Sequence, residues 1–598
     1  MYFRTKIIKG TPLVQLVQSY RNEEGQPRQR VIASLGDAKL PEAEKPLIAQ
    51  AVERELQGVR DFLDSSLSGE AASWVARLVQ IAGTSKAAVP VTSESVDGVI
   101  LDQIETGNVV QLGPQLVALQ AWEELRFTPM LEELGMNASQ IATAQLMISN
   151  RLIEPLSEWA LIDWSQRTAL PELLGIRMTK STKDRLYQTS DALLSHRKTI
   201  ETKLREREAD LFSLSRSVIL YDVTNTHFEG ICEKNPKARH GKNKQKRNDC
   251  RQVSIGVAFD EHGLPLAHEV FEGNMADTKT LKIVLDRLEI NDGGCKPVVI
   301  LDAGFASKEN ITMLKERGYS YLINITRGSR TGYAEHFKTE NFEVLPGRKE
   351  DEKVEVKRIT DPDDSASQLL LCRSAQRRLK EEAMVSKAEA RFLADVKALE
   401  ERIQKGRLKK VSLIERKIGA LQKKHPRSQR FYTLSHENGK LLAIRNQDKM
   451  EEALQLCGDY VLKTDKTLAA AELWDLYMTL LKAEEGFCML KGALGLRPNY
   501  HQLEDRVDGH VFISVLAYHL LCWLLQRFES NGDTRDWTTI RRILSTHSIT
   551  TTSLALIDGR IIHIRKSSTP DAEQVLIYKI LGIDWKSAFK TEKTELPA

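Results

Sequence analysis

The sequence predicts an α/β fold in which helices flank a mixed β-sheet and a large insertion interrupts that sheet. The first observation is the order of elements after Ser217, which reads strand, strand, strand, helix, strand, helix, strand. Three consecutive strands followed by alternating helices and strands are typical of a mixed sheet covered by helices. The second observation is the interval of 182 residues between Asp302 and Glu484, which is far longer than one connection in a compact sheet requires.

Length and composition place the chain among soluble globular proteins with several domains. The 598 residues are too many for one hydrophobic core, and the length predicts about four domains. Apolar residues make up 41% and charged residues 28% of the chain, which is ordinary for a soluble protein. No stretch approaches the ~18 uninterrupted apolar residues of a membrane span, and Met1–Lys9 lacks the apolar core of a secretory signal. The seven cysteines include no C-x-x-C pair, which argues against a zinc site or a disulfide framework and favours the reducing cytoplasm.

Two regions precede the predicted sheet. Residues 1–97 are predicted to be an α+β region, with the strand-like pieces KIIKGTPLVQLVQSYR and QRVIASLGD, a charged helical stretch, and a linker near residues 88–95. Residues 98–215 are predicted to be helical, because apolar residues recur there at spacings of three and four. This helical region is the candidate for an N-terminal DNA-binding domain, although a plain helical bundle would give the same pattern.

The predicted core begins at residue 216, and its first part extends to residue 330. Its strands are SVILYDVTNTHFEG, RQVSIGVAF, LPLAHEVFEG, KPVVILDAGF and YSYLINI, which are rich in β-branched and aromatic residues. The turn-forming DEHG separates the second strand from the third. Two helices are predicted between the later strands: one is capped by Asp277 at its start, and the other is closed by Gly318 at its end.

Basic clusters are more informative than the net charge of +4. The loop KNPKARHGKNKQKRNDCR, residues 234–251, contains a single acidic residue, and a second basic run covers residues 405–424. Contact with the phosphate backbone of DNA needs such clusters, because each neutralised phosphate releases counterions. We therefore predict DNA contacts for four residues of the loop, although a solvated surface is the alternative interpretation. They are Lys242, Lys244, Lys246 and Arg247.

Two aspartates stand where predicted strands leave the core. Asp222 follows the apolar run VILY, and Asp302 follows VVIL. Ligands and catalytic groups gather at strand ends in sheets of this kind. A single carboxylate in this position is often only a turn former or a helix cap. The pair is stronger evidence, because both aspartates follow four-residue apolar strands and precede small or turn-permissive residues.

A third acidic residue lies in a later helix-period segment, WDLYMTLLKAEEGFCMLKGAL. Tyr477, Glu484 and Lys491 are spaced by seven residues, so on one helix they would share one face. A solvated amphipathic helix is the alternative interpretation.

The long interval before this helix predicts an insertion domain at residues 331–453, followed by the second part of the core at 454–530 and a C-terminal region at 531–598. Within the insertion, residues 377–424 read as a helical hairpin broken near residues 405–406, and a strand pair is predicted around a turn at residues 438–439. The hairpin carries one apolar stripe: Phe392, Val396, Leu399 and Ile403.

Together these residues resemble the DDE transposases of bacterial insertion sequences, in the branch with a Y-x2-R-x3-E-x6-K signature. Tyr477, Glu484 and Lys491 match that spacing, whereas Leu480 stands at the arginine position. The segments YDVTNTHFEG and LDAGFAS resemble the two aspartate motifs, and EVFEGNMADTKTL is similar to the stretch between them. LGLRPNYHQLEDRVDGHVFISVLAYHLL resembles the segment after the glutamate. The opening YFRTKIIKGTPLVQLVQSYRNEEGQPRQRVIASLG is similar to the N-termini of one subgroup.

The resemblance implies an RNase H-like core and metal-dependent phosphoryl transfer. Asp222 would bridge two Mg²⁺ ions, with Mn²⁺ able to substitute, and Asp302 and Glu484 would each complete one site. Water would first cut the element's ends, and the freed 3′-hydroxyl would then attack target DNA. Tyr477 and Lys491 would contact DNA. Glu485 is the competitor of Glu484, although on a helix it would point about 100° away.

The implied partners are the terminal inverted repeats of the element and the target DNA. The resemblance also implies a homodimer that holds two DNA ends in a synaptic complex, with no membrane involved, acting on the DNA of the nucleoid in the cytoplasm. The insertion would hold DNA ends and help to form or open a hairpin intermediate.

Three other functions are compatible with parts of the sequence. Another RNase H-like nuclease would need the same acids, but the long insertion and the basic loops argue against its smaller members. A glycosidase would also need two acids, but aromatic residues for sugar stacking are only 6% of the chain. A non-catalytic DNA-binding protein derived from a transposase would not need the three acids. His501 and His510 are unnecessary for two-metal catalysis, and we predict that His510 is packed or capping and that His519 lies in the core.

Overall fold

The computed structural model describes residues 1–596 apart from 9–10, 22–25, 37, 39, 57–66, 86–97, 180–182, 243–246, 289–295, 340, 348–351 and 438–439. The chain forms two compact units. One contains residues 1–106, 552–564 and 593–598, and the other contains residues 107–551 and 565–592. The predicted linker near residues 88–95 lies outside the described residues.

The described strands, in chain order, are β1 (Tyr2–Ile8), β2 (Thr11–Arg21), β3 (Pro27–Ser34), β4 (Glu105–Gln111), β5 (Val218–His227), β6 (Gln252–Phe259), β7 (Pro265–Glu272), β8 (Val298–Leu301), β9 (Ser320–Asn324), β10 (Glu343–Pro346), β11 (Lys353–Asp361), β12 (Asp364–Ser374), β13 (Tyr432–Glu437), β14 (Lys440–Arg445), β15 (Asp459–Thr464), β16 (Ser548–Ala555), β17 (Ile561–Ser567) and β18 (Glu592–Leu596).

The described α-helices are α1 (Lys45–Leu56), α2 (Gly69–Ser85), α3 (Gly113–Glu124), α4 (Phe127–Glu133), α5 (Ala138–Ile153), α6 (Glu158–Trp164), α7 (Leu170–Leu173), α8 (Lys183–Ser195), α9 (Arg197–Phe212), α10 (Asp277–Leu288), α11 (Lys308–Glu316), α12 (Ala334–Lys338), α13 (Ala375–Gln404), α14 (Val411–Lys424), α15 (Gln447–Gln455), α16 (Ala470–Met478), α17 (Leu480–Lys491), α18 (Glu504–Ser530), α19 (Trp537–Leu544) and α20 (Ala572–Leu581).

The chain begins with strands and not with helices. β1, β2 and β3 form an antiparallel sheet, and their inward residues Val14 and Leu16 pack with Ile48 and Val52 of α1 and with Leu78 of α2. The two strand-like pieces predicted for this region are therefore confirmed. A helical N-terminal region is not confirmed, because the first elements of the chain are strands. The helical region lies farther along the chain, from α3 to α9.

Three helices of this region pack against the long helix α18. α18 contacts α3, α5 and α8, and α5 begins with a capping box between Asn137 and Gln140, which satisfies two free backbone donors. Among the described helices, α18 has the length and apolar composition to cross a membrane, but 83% of its apolar window is buried inside the fold. α18 is thus packed as a core helix.

In the part of the chain that the structure describes, the main sheet has nine strands in the order β10-β11-β12-β15-β9-β8-β5-β6-β7. β5, β8 and β9 run parallel to one another, and the remaining neighbours are antiparallel. The predicted mixed sheet is therefore confirmed. α10 and α11 cover one face of its central strands, and α17 and α18 cover the other.

The chain between β9 and β15 adds three strands to the edge of this sheet and a helical hairpin beyond it. α13 ends at Gln404 and α14 begins at Val411, which confirms the predicted break. The stripe predicted from Phe392 to Ile403 is buried against Ile414, Ile418 and Leu421 of α14. β13 and β14 form a strand pair, although the turn predicted at residues 438–439 lies outside the described part of the chain.

Candidate active site

Asp222 and Asp302 lie side by side on two neighbouring parallel strands. Tyr221 of β5 pairs with Leu301 of β8, so the next residue of each strand is an aspartate in the same row. Adjacent strands are about 4.8 Å apart. Asp302 directly follows β8, as predicted. The prediction that Asp222 ends its strand is wrong, because β5 keeps its antiparallel pairing with β6 as far as His227 and Gln252.

Both aspartates point to the face of the sheet that α17 covers. The residues that precede them, Tyr221 and Leu301, pack in the core on the side of α10 and α11. Because side chains alternate along a strand, the aspartates project to the opposite side. Leu220 and Ile300, two residues before each aspartate, pack there in the same core as Phe487 of α17.

The surroundings of the two aspartates differ. Asp302 is exposed, and its carboxylate accepts a hydrogen bond from the backbone N–H of Ala303 at 2.7 Å, which caps the short 3-10 turn that follows. Asp222 is half-buried beside Tyr221, whose hydroxyl donates to Thr280 Oγ1 at 2.8 Å. Burial raises the pKa of the Tyr221 hydroxyl, so it remains a neutral donor below the carboxylate row.

The helix predicted to carry the third acid is two helices. The backbone N–H and the hydroxyl of Thr479 both donate to the carbonyl of Leu476, at 3.3 and 2.7 Å, and these shorter-range bonds end α16. Tyr477 therefore lies on α16, while Glu484 and Lys491 lie on α17. The prediction of one continuous helix is wrong, because the local hydrogen bonds of Thr479 compete with the helical ladder.

α17 lies directly against the strands that carry and flank Asp222. It contacts β5 and β6, and the rings of Phe487 and Phe259 meet edge to face at 5.4 Å. A side chain at Gly486 would have its Cβ only 2.8 Å from Phe259 and 2.8 Å from the Tyr518 hydroxyl. Glycine at this position thus permits the close approach of helix and sheet.

The two adjacent glutamates of α17 have different surroundings. Glu484 is exposed and lines an open cavity of about 240 Å³. Glu485 is exposed beside Lys482 of the same helix, with 3.7 Å between Oε2 and Nζ. Lys491, farther along the helix, has its Nζ 5.3 Å from the centre of the Phe487 ring.

The cavity beside Glu484 is formed by α16, α17, the start of α13, and the β10 and β11 ends. The guanidinium of Arg377 lies over the Tyr460 ring at 4.7 Å and donates from Nε to Glu381 at 3.1 Å. No local pattern singles out Arg377 among the many basic residues of α13, so sequence reasoning missed it. The lining residues are Gly347, Glu352, Val354, Ser374, Arg377, Tyr460, Trp474, Tyr477, Met478, Leu480, Leu481 and Glu484.

Tyr477 connects this cavity to the row of aspartates. Its hydroxyl accepts a hydrogen bond from Asn324 Nδ2 at 3.1 Å. Burial and the negative charge of Asp302 raise the pKa of Tyr477, so its hydroxyl stays neutral. Asn324 was also missed, although it ends the apolar run YLI just as Asp302 ends VVIL. Because Asn324 carries no charge, its position at the end of an apolar run did not mark it as a candidate site residue.

The three acids do not form one tight cluster in this structure. Within the described residues, no three His, Cys, Asp or Glu side chains converge closely enough to hold a metal ion. Asp222 and Asp302 are neighbours in register, and Glu484 lies on the helix that covers them.

The described part of the basic loop is attached next to the Asp222 strand. The carbonyl of Lys242 accepts hydrogen bonds from Asn225 at 3.5 Å and Gln252 at 3.4 Å, and its side chain is exposed. Arg247 pairs with Asp249 at 3.1 Å. Lys244 and Lys246 lie outside the described residues.

The histidines occupy structural positions. His510 is buried and accepts a hydrogen bond from Arg151 at 3.3 Å, and burial and the Arg151 charge lower its pKa to about 3. His519 is buried with its Nδ1 2.5 Å from Glu208. The predictions that His510 is packed and that His519 lies in the core are therefore confirmed. His501 is mostly buried, with its Nε2 3.4 Å from Glu158.

Comparisons with known proteins identify the family. The family described as "Transposase DDE domain" matches residues 213–520, and "IS1634 family transposase, N-terminal domain" matches residues 3–68. No curated protein sequence matches the chain. A cryo-EM structure of the piggyBac transposase synaptic complex with hairpin DNA is similar over 69% of this chain and 70% of that chain, at 9% identity and a TM-score of 0.34. At that score the likeness supports no conclusion. The first family match spans more than half of the 598 residues, and the chain therefore belongs to the DDE transposases of bacterial insertion sequences.

Proposed function

We propose that this transposase cuts DNA at the ends of its insertion sequence, and joins those ends to target DNA, with Asp222, Asp302 and Glu484 as its catalytic carboxylates. The observation that carries the proposal is the register of β5 and β8, which puts both aspartates in one row facing the helix of Glu484. The strand order β7-β6-β5-β8-β9, with three antiparallel strands followed by two parallel ones, supports an RNase H-like core.

The chemistry of these three side chains fits a hard divalent cation such as Mg²⁺. Such ions prefer oxygen ligands, and Mn²⁺ accepts the same set. Asp222, Asp302 and Glu484 would hold the ions. The three carboxylates repel one another, so bringing them to one point requires positive charge between them. Two bound ions would supply activation of the attacking oxygen and stabilisation of the leaving oxygen.

The remaining groups of the site would bind and orient DNA. The neutral hydroxyl of Tyr477 and the ammonium of Lys491 would contact phosphates next to the carboxylates. Leu480 stands where the Y-x2-R-x3-E-x6-K branch has arginine, and Arg377 brings a guanidinium to the same cavity. The branch assignment is part of the proposal and rests on Tyr477, Glu484 and Lys491. No protein nucleophile is needed, because water and then a DNA 3′-hydroxyl are the attacking groups.

We further propose how the rest of the chain contributes. The basic loop, with Lys242, Lys244, Lys246 and Arg247, would contact phosphates of the terminal repeats. The helical domain at 98–215 would bind DNA, and the insertion at 331–453 would hold the DNA ends. A homodimer acting on nucleoid DNA in the cytoplasm would bring two ends together.

Plasmid cleavage tests the acid assignment directly. Purified protein acts on a plasmid that carries the gene's native flanking DNA, in Mg²⁺, Mn²⁺ or EDTA. We expect breaks at the element's edges that require metal and disappear in Asp222→Ala, Asp302→Ala and Glu484→Ala. Glu485→Ala is the matched control, because its carboxylate lies beside Lys482 on the same helix.

The opposite results have defined meanings. If Glu485→Ala abolishes cleavage while Glu484→Ala retains it, the third acid is assigned wrongly. If the wild-type protein binds the flanking DNA but does not cut it with either metal, the protein is a non-catalytic DNA-binding derivative of a transposase.

A further inference from the structure

A third polar residue stands in the row of the two catalytic aspartates. Leu301 of β8 pairs with Ile323 of β9, just as Tyr221 of β5 pairs with Leu301. The next residue on β9 is Asn324, so the row reads Asp222, Asp302 and Asn324 across three parallel strands. Ile323 packs on the side of α10 and α11, and alternation therefore directs Asn324 to the face of the carboxylates.

The amide of Asn324 is buried, and only one of its two polar atoms has a hydrogen-bond partner among the described residues. The side chain is 6% exposed. Its Nδ2 donates to the Tyr477 hydroxyl at 3.1 Å, but its Oδ1 has no hydrogen-bond partner among the described residues. Buried polar atoms are nearly always paired, so this acceptor can take a hydrogen bond from a water, including a water bound to a cation.

The chemistry of an amide oxygen fits this position. It is a hard oxygen donor, as a divalent cation or its bound water requires. Because the amide is neutral, it adds a polar contact without adding to the repulsion among the carboxylates. The contact with Tyr477 also connects Asn324 to the hydroxyl that experiences the charge of Asp302.

We propose that Asn324 is a further active-site residue whose amide oxygen contacts the hydrated divalent cation held at Asp302. Its amide nitrogen at the same time fixes the hydroxyl of Tyr477. This inference rests on the metal site proposed above. Asn324 is a positioning residue: it orients the cation's shell and the tyrosine, and it does not take part in bond breaking.

Mn²⁺ binding by the full-length protein tests this role without relying on activity. The affinity is measured by calorimetry and by the electron paramagnetic resonance of free Mn²⁺. We expect Asn324→Leu, which removes both polar atoms and keeps the branching at Cγ, to weaken Mn²⁺ binding by about 10- to 100-fold. Asn324→Asp keeps an oxygen in place and should bind Mn²⁺ at least as tightly as the wild type.

Asn150→Leu is the matched control for loss of a buried asparagine. Asn150 is 1% exposed on α5 and donates from Nδ2 to the carbonyl of Glu154 at 2.8 Å. Its replacement should lower the unfolding temperature and leave Mn²⁺ affinity unchanged. Wild-type affinity in Asn324→Leu, or an equal loss in Asn150→Leu, would overturn the proposal.

Asp302→Ala separates this inference from the metal site on which it rests. If Asp302→Ala binds Mn²⁺ like the wild type, the proposed metal site is wrong. If Asp302→Ala loses Mn²⁺ binding while Asn324→Leu retains it, the metal site stands and only the role of Asn324 is wrong.

Discussion

At the scale of single residues, the buried carboxyl of Asp260 links the stability of the fold to pH. Asp260 follows β6 and is 0% exposed, and its Oδ1 accepts hydrogen bonds from the backbone N–H groups of His262 and Leu264, both at 2.9 Å. Burial, together with the negative charges of Glu208 and Glu261, outweighs those bonds and raises the pKa of Asp260 to about 7. The folded protein therefore holds this proton more tightly than the unfolded chain does.

The sign of the pH effect follows from that shift. With a folded pKa near 7 and an unfolded pKa of about 3.9, the contribution of Asp260 to stability is complete below about pH 4 and is lost as the pH rises to 7. Asp260→Asn keeps the acceptor oxygen and removes the titration. The unfolding free energy of Asp260→Asn should exceed that of the wild type, and this difference should increase by up to about 1.4 kcal/mol per pH unit between pH 4 and 7 and then stay constant. Unfolding midpoints at pH 5 and pH 8 measure this difference.

Asp558→Asn serves as the control with the opposite sign. Asp558 is exposed, and its hydrogen bonds with Arg560 lower the pKa of its carboxyl. That substitution should not stabilise the protein at pH 8. An equal effect of Asp260→Asn at pH 5 and pH 8 would contradict the assigned titration.

At the scale of elements, the position of α17 depends on the absence of a side chain at Gly486. A Cβ there would lie 2.8 Å from the Phe259 ring, inside contact distance. Because Glu484 is two residues away on the same helix, any displacement of α17 from β6 also moves the proposed third carboxylate. Packing of the helix and geometry of the site are therefore set by the same contact.

Gly486→Ala should disturb both stability and catalysis. Overpacking costs about 1–3 kcal/mol of unfolding free energy, and a displacement near 1 Å can lower the rate of cleavage by about 10²-fold. Gly419→Ala is the matched control, because Gly419 lies within the helix α14 and a Cβ there meets nothing within 4 Å. That change should stabilise the helix by up to about 1 kcal/mol. Thermal unfolding measures the stability of both variants, and plasmid cleavage measures their activity. Equal results for Gly486→Ala and Gly419→Ala would contradict the role of Gly486 in positioning α17.

At the scale of the whole molecule, DNA binding depends on local clusters of positive charge and not on the net charge. The net charge is only +4 in 598 residues, so non-specific attraction by the overall field is weak. Lys242 is exposed, and its backbone is held by Asn225, three residues beyond Asp222 on the same strand. Arg247 differs, because its guanidinium is paired with Asp249. We therefore expect Lys242 to contribute more to phosphate binding than Arg247.

Lys242→Ala should reduce the salt dependence of DNA binding. Loss of one phosphate contact lowers the slope of log K against log salt concentration by about 1. Fluorescence anisotropy with labelled DNA of the element's terminal repeats, recorded between about 50 and 200 mM salt, measures that slope. Lys308→Ala replaces an exposed lysine on α11, which covers the other face of the sheet, and should leave the slope unchanged. Equal slopes in the two variants would count against a DNA contact by Lys242.

The sequence by itself determined the order of the core strands and helices, the pair of aspartates and the buried stripe of the insertion hairpin. These features are local, because apolar runs, turn residues and helical spacing are contained in neighbouring residues. Only the tertiary structure decided that Asn324 joins the row of Asp222 and Asp302, and that Glu484 and Glu485 face different surroundings. It also decided that the strands after β9 extend the same sheet. Those outcomes depend on strand register and on the packing of helix against sheet, which join residues that are far apart in the chain.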